Sequence, residues 1–296
     1  MNVSFPLMHQ NTHTNKTTGV WGEEIVADAC VKMLSKAGIN SYTSNIRKLE
    51  ENAPFTSLSR IHVAIYMSHE TVSPWRLKRI SDKSILWIQG FSYDSNMNII
   101  PLDEIYNCFK EHYDLVITSS RVLAEKYDIP FVVPPLDTEK YYPVKTAKHT
   151  DCSFIGNIIK PFDTNKRYLR PFKDFKYQIL GGDMGKISHD KWLKVVCGSK
   201  INLHYGFKEG IKWDMVTGRP LFVSACKSFL MCDKIPYFME KFKEAFVFTD
   251  GGEDEVEKIK YYLENEEERE KKSLLAYEIL RDMQFNKLTE VLEGVI

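Results

Sequence analysis

The stretch from Tyr113 to Asn157, YDLVITSSRVLAEKYDIPFVVPPLDTEKYYPVKTAKHTDCSFIGN, most constrains what this chain can fold into. Leu115 to Thr118 is a four-residue apolar run between polar flanks, which predicts a buried strand. Ser119-Ser120 can cap the helix that follows, Pro130 halts it, and Phe131 to Val133 predict a second buried strand. Pro134-Pro135 and Pro143 stiffen the next segment, which ends in the polar run Lys145 to Asp151. Cys152 to Ile155 then predict a strand that runs into Gly156-Asn157. One strand–helix–strand unit ends here and another begins after a linker, so the chain should be two halves of similar build.

The flanking sequence repeats that alternation. Before the hinge, the expected strands are Asn2–Leu7, Ile39–Tyr42, Ile61–Met67 and Ser84–Gln89. Helices are expected over 19–38, where Ile25, Val26, Ala29, Met33 and Leu34 form an apolar stripe, briefly at Trp75–Ile80, and over Leu102–His112. After the hinge, strands are expected at Tyr177–Leu180, Lys200–His204, Ser228–Asp233 and Ala245–Phe248, with helices near 191–197, 219–227 and 254–283. Strands alternating with helices predict parallel, doubly wound sheets, whose ligands collect at the carboxyl ends of the strands.

With 296 residues, 43% hydrophobic and 27% charged, the chain can bury two cores. Forty basic and forty acidic residues cancel, so no global charge calls for nucleic acid or an anionic membrane. No apolar run approaches the ~20 residues of a membrane span, and the N-terminus lacks the charged and apolar regions of a secretory signal. Six scattered cysteines without a CxxC pair suit a reduced, cytoplasmic protein without a zinc site.

The order strand, Ser-Ser, helix, VPPLDTEKYYP, then SFIGN resembles the crossing between the domains of GT-B glycosyltransferases. It is most similar to group-1 transferases of the spore-maturation-protein type. More distantly it resembles the phage enzymes that glycosylate hydroxymethylated DNA bases. The resemblance implies an α/β protein of two Rossmann-like domains facing across a cleft. Residues 1–143 would be the acceptor side, 144–285 the nucleotide-sugar side, and 286–296 a helix packing back toward the first domain. The implied activity is transfer of a glycosyl group from a nucleotide-diphospho-sugar, UDP-sugar favoured, to an acceptor hydroxyl. No cofactor or metal is required. Saccharides, proteins and 5-hydroxymethyl pyrimidines in phage DNA are the acceptors it admits. The alternative is an inactive GT-B-like protein that only binds sugar or nucleotide.

The candidate donor site starts from Arg219 in WDMVTGRPLFVSACKSFLMCD. An arginine opening a helix offers a forked donor and the positive dipole end to a diphosphate, although a structural ion pair would place it there too. The resembled families carry an acidic residue three places later that binds sugar or ribose hydroxyls; Phe222 stands there, and Asp214 is the candidate substitute. Gly156, Asn157, Lys166 and Arg167 form a second group, in which a glycine turn lets backbone N–H groups approach phosphate beside cations. Gly181, His204 and Tyr205 follow from the resembled donor pocket, and Gly19 from the first loop before a helix. The phage-like position for a base, directly after ILWIQ's strand, holds Gln89-Gly90, so Asp94 and Glu23 are the catalytic candidates and retention of configuration is favoured. A DNA acceptor would need Arg76, Lys78 and Arg79 to gather beside the cleft.

Overall fold

The computed structural model describes residues 2–7, 22–45, 61–66, 82–91, 99–156, 175–180, 187–206 and 208–295. The chain forms two compact units, one holding the described residues up to 137 together with those from 284 onward, the other Thr138–Met283.

In the first unit, strands β1 (Asn2–Leu7), β2 (Asn40–Asn45), β3 (Ile61–Tyr66), β4 (Lys83–Ile88) and β5 (Leu115–Thr118) form one parallel sheet in the order β2-β1-β3-β4-β5. Helix α1 (Gly22–Lys36) places Val26, Ala27, Cys30 and Leu34 against Val3, Phe5, Val63 and Trp87 of the sheet. Helices α2 (Leu102–Phe109) and α3 (Arg121–Tyr127) flank β5 in sequence. Helix α10 (Lys287–Val295) buries Leu288 and Leu292 in that same core.

The tandem serines divide the work at the end of β5. Ser120 is the N-cap of α3, its hydroxyl accepting the Leu123 N–H at 3.0 Å. Ser119 accepts the buried Trp87 indole N–H at 3.0 Å and donates to the Val132 carbonyl at 2.7 Å. Asp128 ends the helix in the left-handed conformation, so it stops before Pro130. The expected strand at Phe131–Val133 is corrected: only a bridge from Thr118 to Phe131 forms. Pro130 has no N–H to give, and Pro134-Pro135 prevent the ladder from continuing.

In the second unit, β6 (Thr150–Ile155), β7 (Tyr177–Leu180), β8 (Ser199–His204), β9 (Leu230–Asp233) and β10 (Val247–Thr249) form a second parallel sheet, ordered β10-β9-β8-β6-β7. Read from β7, this is the first sheet's order. Helices α4 (His189–Gly198), α5 (Lys208–Lys212), α6 (Gly218–Ala225), α7 (Pro236–Lys241), α8 (Gly252–Glu264) and α9 (Glu266–Asp282) complete the unit. The expected single helix over 254–283 is two, broken at Asn265, which lies outside helical geometry with φ −107° and ψ 75°. Short α5 and α7 lacked periodicity long enough to read from sequence. Cys152, Phe154, Ile201, Leu203, Phe229, Met231, Val247 and Ile259 form the core.

Strand order reverses between β6 and β8, because β7 lies outside β6 and β9 lies outside β8. A crevice at the carboxyl ends of such a pair is where open parallel sheets bind ligands. Gly156 directly follows β6, and His204 ends β8.

Candidate functional site

At that switch point, α6 starts with Gly218 and Arg219, after an N-cap Thr217 whose side chain caps no helix N–H. The Arg219 guanidinium lies over the Phe154 ring, Cζ at 5.2 Å from the centroid, a cation–π contact that also positions the fork. Arg219 Nη1 donates to His204 Nδ1 at 3.3 Å. An arginine nitrogen can only donate, so Nδ1 is the accepting nitrogen and the His204 proton sits on Nε2. That nitrogen faces the Thr217 hydroxyl at 3.4 Å.

Gly156 leaves room for this packing. A Cβ there would stand 2.7 Å from Phe154 Cζ and 2.9 Å from Arg219 Nη2. Any side chain would push the guanidinium away from the turn, whose own N–H donates to the Leu180 carbonyl at 2.8 Å.

The electrostatics are those of a buried cation without an anionic partner among the described residues. Burial pushes Arg219 down to about 10, and no carboxylate among the described residues pairs with it. Burial first, then the Arg219 charge, hold His204 well below the usual imidazole range, so it is neutral at pH 7. A desolvated cation whose described polar partner is neutral is costly to bury. Two acids of the surrounding sequence accept backbone N–H groups within the unit. Asp214, in the left-handed conformation at φ 47°, accepts the Tyr237 N–H at 2.7 Å and fixes the start of α7. Asp233 accepts the Gly206 N–H at 2.8 Å.

Beside Arg219 stands an aromatic group of which sequence reading singled out Phe222 alone, as the residue in the expected acidic place. Phe222, one turn along α6, stacks on Tyr141 with centroids 4.1 Å apart and planes 2° from parallel. Trp192, in the first turns of α4, meets both rings edge-on at 5.2 and 6.3 Å. Trp192, Arg219, Ser153 and Asn202 line one small hollow between α4, α6 and the inner strands β6 and β8. Alternation along β6 (Cys152, Phe154) is the signal that would have pointed to Phe154.

The structure therefore brings Gly156, His204 and Arg219 together. Tyr205 is buried and donates its hydroxyl to Glu255 Oε1 at 2.8 Å, inside the same unit. Glu23 lies in the first turn of α1, with its side chain outside the described set. Gly19, Asp94, Asn157, Lys166, Arg167, Gly181, Arg76, Lys78 and Arg79 lie outside the described residues. Among the described residues, no cluster of three or more His, Cys, Asp or Glu side chains is placed to hold a metal ion, and no helix is long and apolar enough to cross a membrane.

Residues 147–285 match the glycosyl transferase-like family. No curated protein sequence matches the chain. Among solved structures, it superposes on an alpha-glucosyltransferase in complex with UDP-glucose and DNA containing an abasic site, with a TM-score of 0.65 and 12% identity, covering 99% of this chain and 98% of that one. It superposes equally on T4 phage BGT in complex with its UDP-glucose substrate, with a TM-score of 0.65, 12% identity, and coverage of 100% and 99%. Sucrose-phosphate synthase from Thermosynechococcus elongatus gives a TM-score of 0.62 at 9% identity, covering 99% and 97%. The fold is that of the GT-B glycosyltransferases.

Proposed function

We propose that this chain, with its GT-B fold and with the glycosyl transferase-like family pattern over 147–285, is a glycosyltransferase that draws on a nucleotide-diphospho-sugar. The observation that carries the reading is Arg219, a buried cation without a described counter-charge. It is held at the switch point by Phe154 and His204 and packed against Gly156. Solved structures sharing the fold are described with UDP-glucose, which makes a UDP-sugar the first donor to test.

In the reaction the acceptor oxygen forms a bond to the anomeric carbon. The bond from that carbon to the diphosphate oxygen breaks, and the acceptor proton passes to a base or to the departing diphosphate. Charge grows on the leaving diphosphate, where a forked cation in a water-poor setting stabilises it more than water would. Neutral His204 orients the fork without competing for the anion. Asp94 and Glu23 are the proposed proton acceptors. Asn157, Lys166, Arg167, Gly181 and Gly19 are proposed to complete the donor site.

For the acceptor, the reading is a hydroxymethyl pyrimidine in DNA. Its support is the end-to-end match, at 97% or more of both chains, to structures described with UDP-glucose or UDP and DNA, one of them containing an HMU base. Arg76, Lys78 and Arg79 are its proposed phosphate contacts. Incubating the chain with labelled UDP-glucose and a duplex carrying 5-hydroxymethyluracil should move label into DNA. Label moving only into a saccharide acceptor refutes the DNA assignment and leaves the transferase reading in place. Label leaving the donor for neither supports the binding-protein alternative.

A further inference from the structure

Resting on the DNA-acceptor reading above, we infer that Gln89 is an acceptor-binding residue, whose side-chain amide pairs with the polar edge of the acceptor pyrimidine.

Gln89 is the first residue past β4, an inner strand of the first unit's parallel sheet, and so stands at the carboxyl end, where such sheets take their ligands. Side chains alternate along a strand, so Ile85, Trp87 and Gln89 form one row. Ile85 and Trp87 pack in the core with Val26, Ala27 and Cys30 of α1. The row thus exchanges a core apolar residue for an amide at the ligand-binding end of the sheet. Helix α1 links the parallel strands β1 and β2, so it runs back along the sheet. Its first turn, with the proposed proton acceptor Glu23, therefore lies at this same end.

Gln89 is only 5% exposed, and among the described residues neither its amide nitrogen nor its amide oxygen has a hydrogen-bond partner. Buried polar atoms are normally paired. Its neighbours obey that rule. Ser119 takes the Trp87 indole N–H, and the Ile88 carbonyl accepts the Ser119 N–H at 3.0 Å and the Thr118 hydroxyl at 3.2 Å. One donor and one acceptor, side by side on one amide, are left over. Their complement is a group that presents an acceptor and a donor side by side, as a pyrimidine edge does. With uracil, the amide oxygen accepts the N3–H and the amide nitrogen donates to the adjacent carbonyl.

The test compares the full wild-type chain with Gln89→Leu, which keeps the size and removes the amide, and with Gln89→Met as a second packing of the same place. Thermal melting, UDP titration and transfer from labelled UDP-glucose are read for each. The acceptors are duplexes carrying 5-hydroxymethyluracil or its N3-methyl derivative. Both variants should melt no lower than the wild type, since no internal hydrogen bond is lost, and should bind UDP unchanged. The wild type should use the N3-methyl base at least about tenfold less well than its parent. That methyl also breaks the base pair and frees the base, so the loss is not one of access. Each variant should use both bases alike, at least about tenfold below the wild type with the parent base. Transfer by the variants within about twofold of the wild type overturns the inference and leaves the amide to a buried water. Variants that melt clearly lower overturn it too, because the amide then supports the fold. Equal use of the two bases by the wild type also overturns it. A wild type that binds UDP yet labels neither duplex brings down the DNA-acceptor reading itself, and the inference with it.

Discussion

At the scale of single residues, the proposed diphosphate role of Arg219, a guanidinium desolvated beside a neutral imidazole, sets the sharpest expectations. Arg219→Ala should weaken UDP by roughly 10- to 100-fold, the loss of a charge-assisted hydrogen bond worth about 1.5–3 kcal/mol, measured by calorimetric titration. Arg219→Lys should rescue little, because a single ammonium cannot fork. Gly156→Ala should also reduce UDP affinity, since the new methyl would stand 2.7 Å from Phe154 Cζ and 2.9 Å from Arg219 Nη2, so that the ring and the fork must shift. His204 makes a prediction in pH. Its folded pKa is lowered by burial and by Arg219, so below about 6.5 the unfolded chain binds a proton that the folded one refuses. Its contribution to stability is therefore complete above about pH 6.5 and is lost as pH falls, by up to about 1.4 kcal/mol per pH unit. Thermal melts between pH 7.5 and 5.5 should show a steeper loss for the wild type than for His204→Gln, and equal slopes would contradict the buried neutral imidazole.

At the scale of elements, the strand–turn–helix pieces were largely legible because period and punctuation carry them: Leu115–Thr118, Tyr177–Leu180 and the β6 strand before Gly156 sit where apolar runs and a glycine turn place them. What failed has local causes. Phe131–Val133 has strand composition, yet prolines on both sides deny it a ladder. The break at Asn265 lies inside a run of helix-forming residues and has no strong breaker to announce it. Helix α10 carries a prediction here. Leu292 is fully buried in the first unit's core although it lies near the end of the chain, so Leu292→Ala should cost about 2–5 kcal/mol in chemical denaturation. A change under about 0.5 kcal/mol would mean that the helix merely rests on the sheet.

At the scale of the whole molecule, the two units repeat one strand order, and the sequence showed only that both alternate strand and helix. Strand order is set by which crossover packs beside which, information spread across contacts distant in the chain. The site was legible in part for the same reason. Arg219 and Gly156 stand out in local motifs, whereas Phe154 and Thr217 matter only through contacts made across strands and turns. Asp214 looked like a substitute acid from its distance to Arg219, but its carboxylate is directed to the Tyr237 N–H. The balanced charge of 40 basic and 40 acidic residues leaves recognition to such local sites rather than to the field of the molecule. The most direct measurement is calorimetric titration of UDP into the wild-type chain and into Arg219→Ala. Saturable one-to-one binding by the wild type, lost or weakened at least about tenfold in a variant that still melts cooperatively, is the predicted result. Equal binding by both proteins, or no binding by the wild type, would contradict a diphosphate site centred on Arg219.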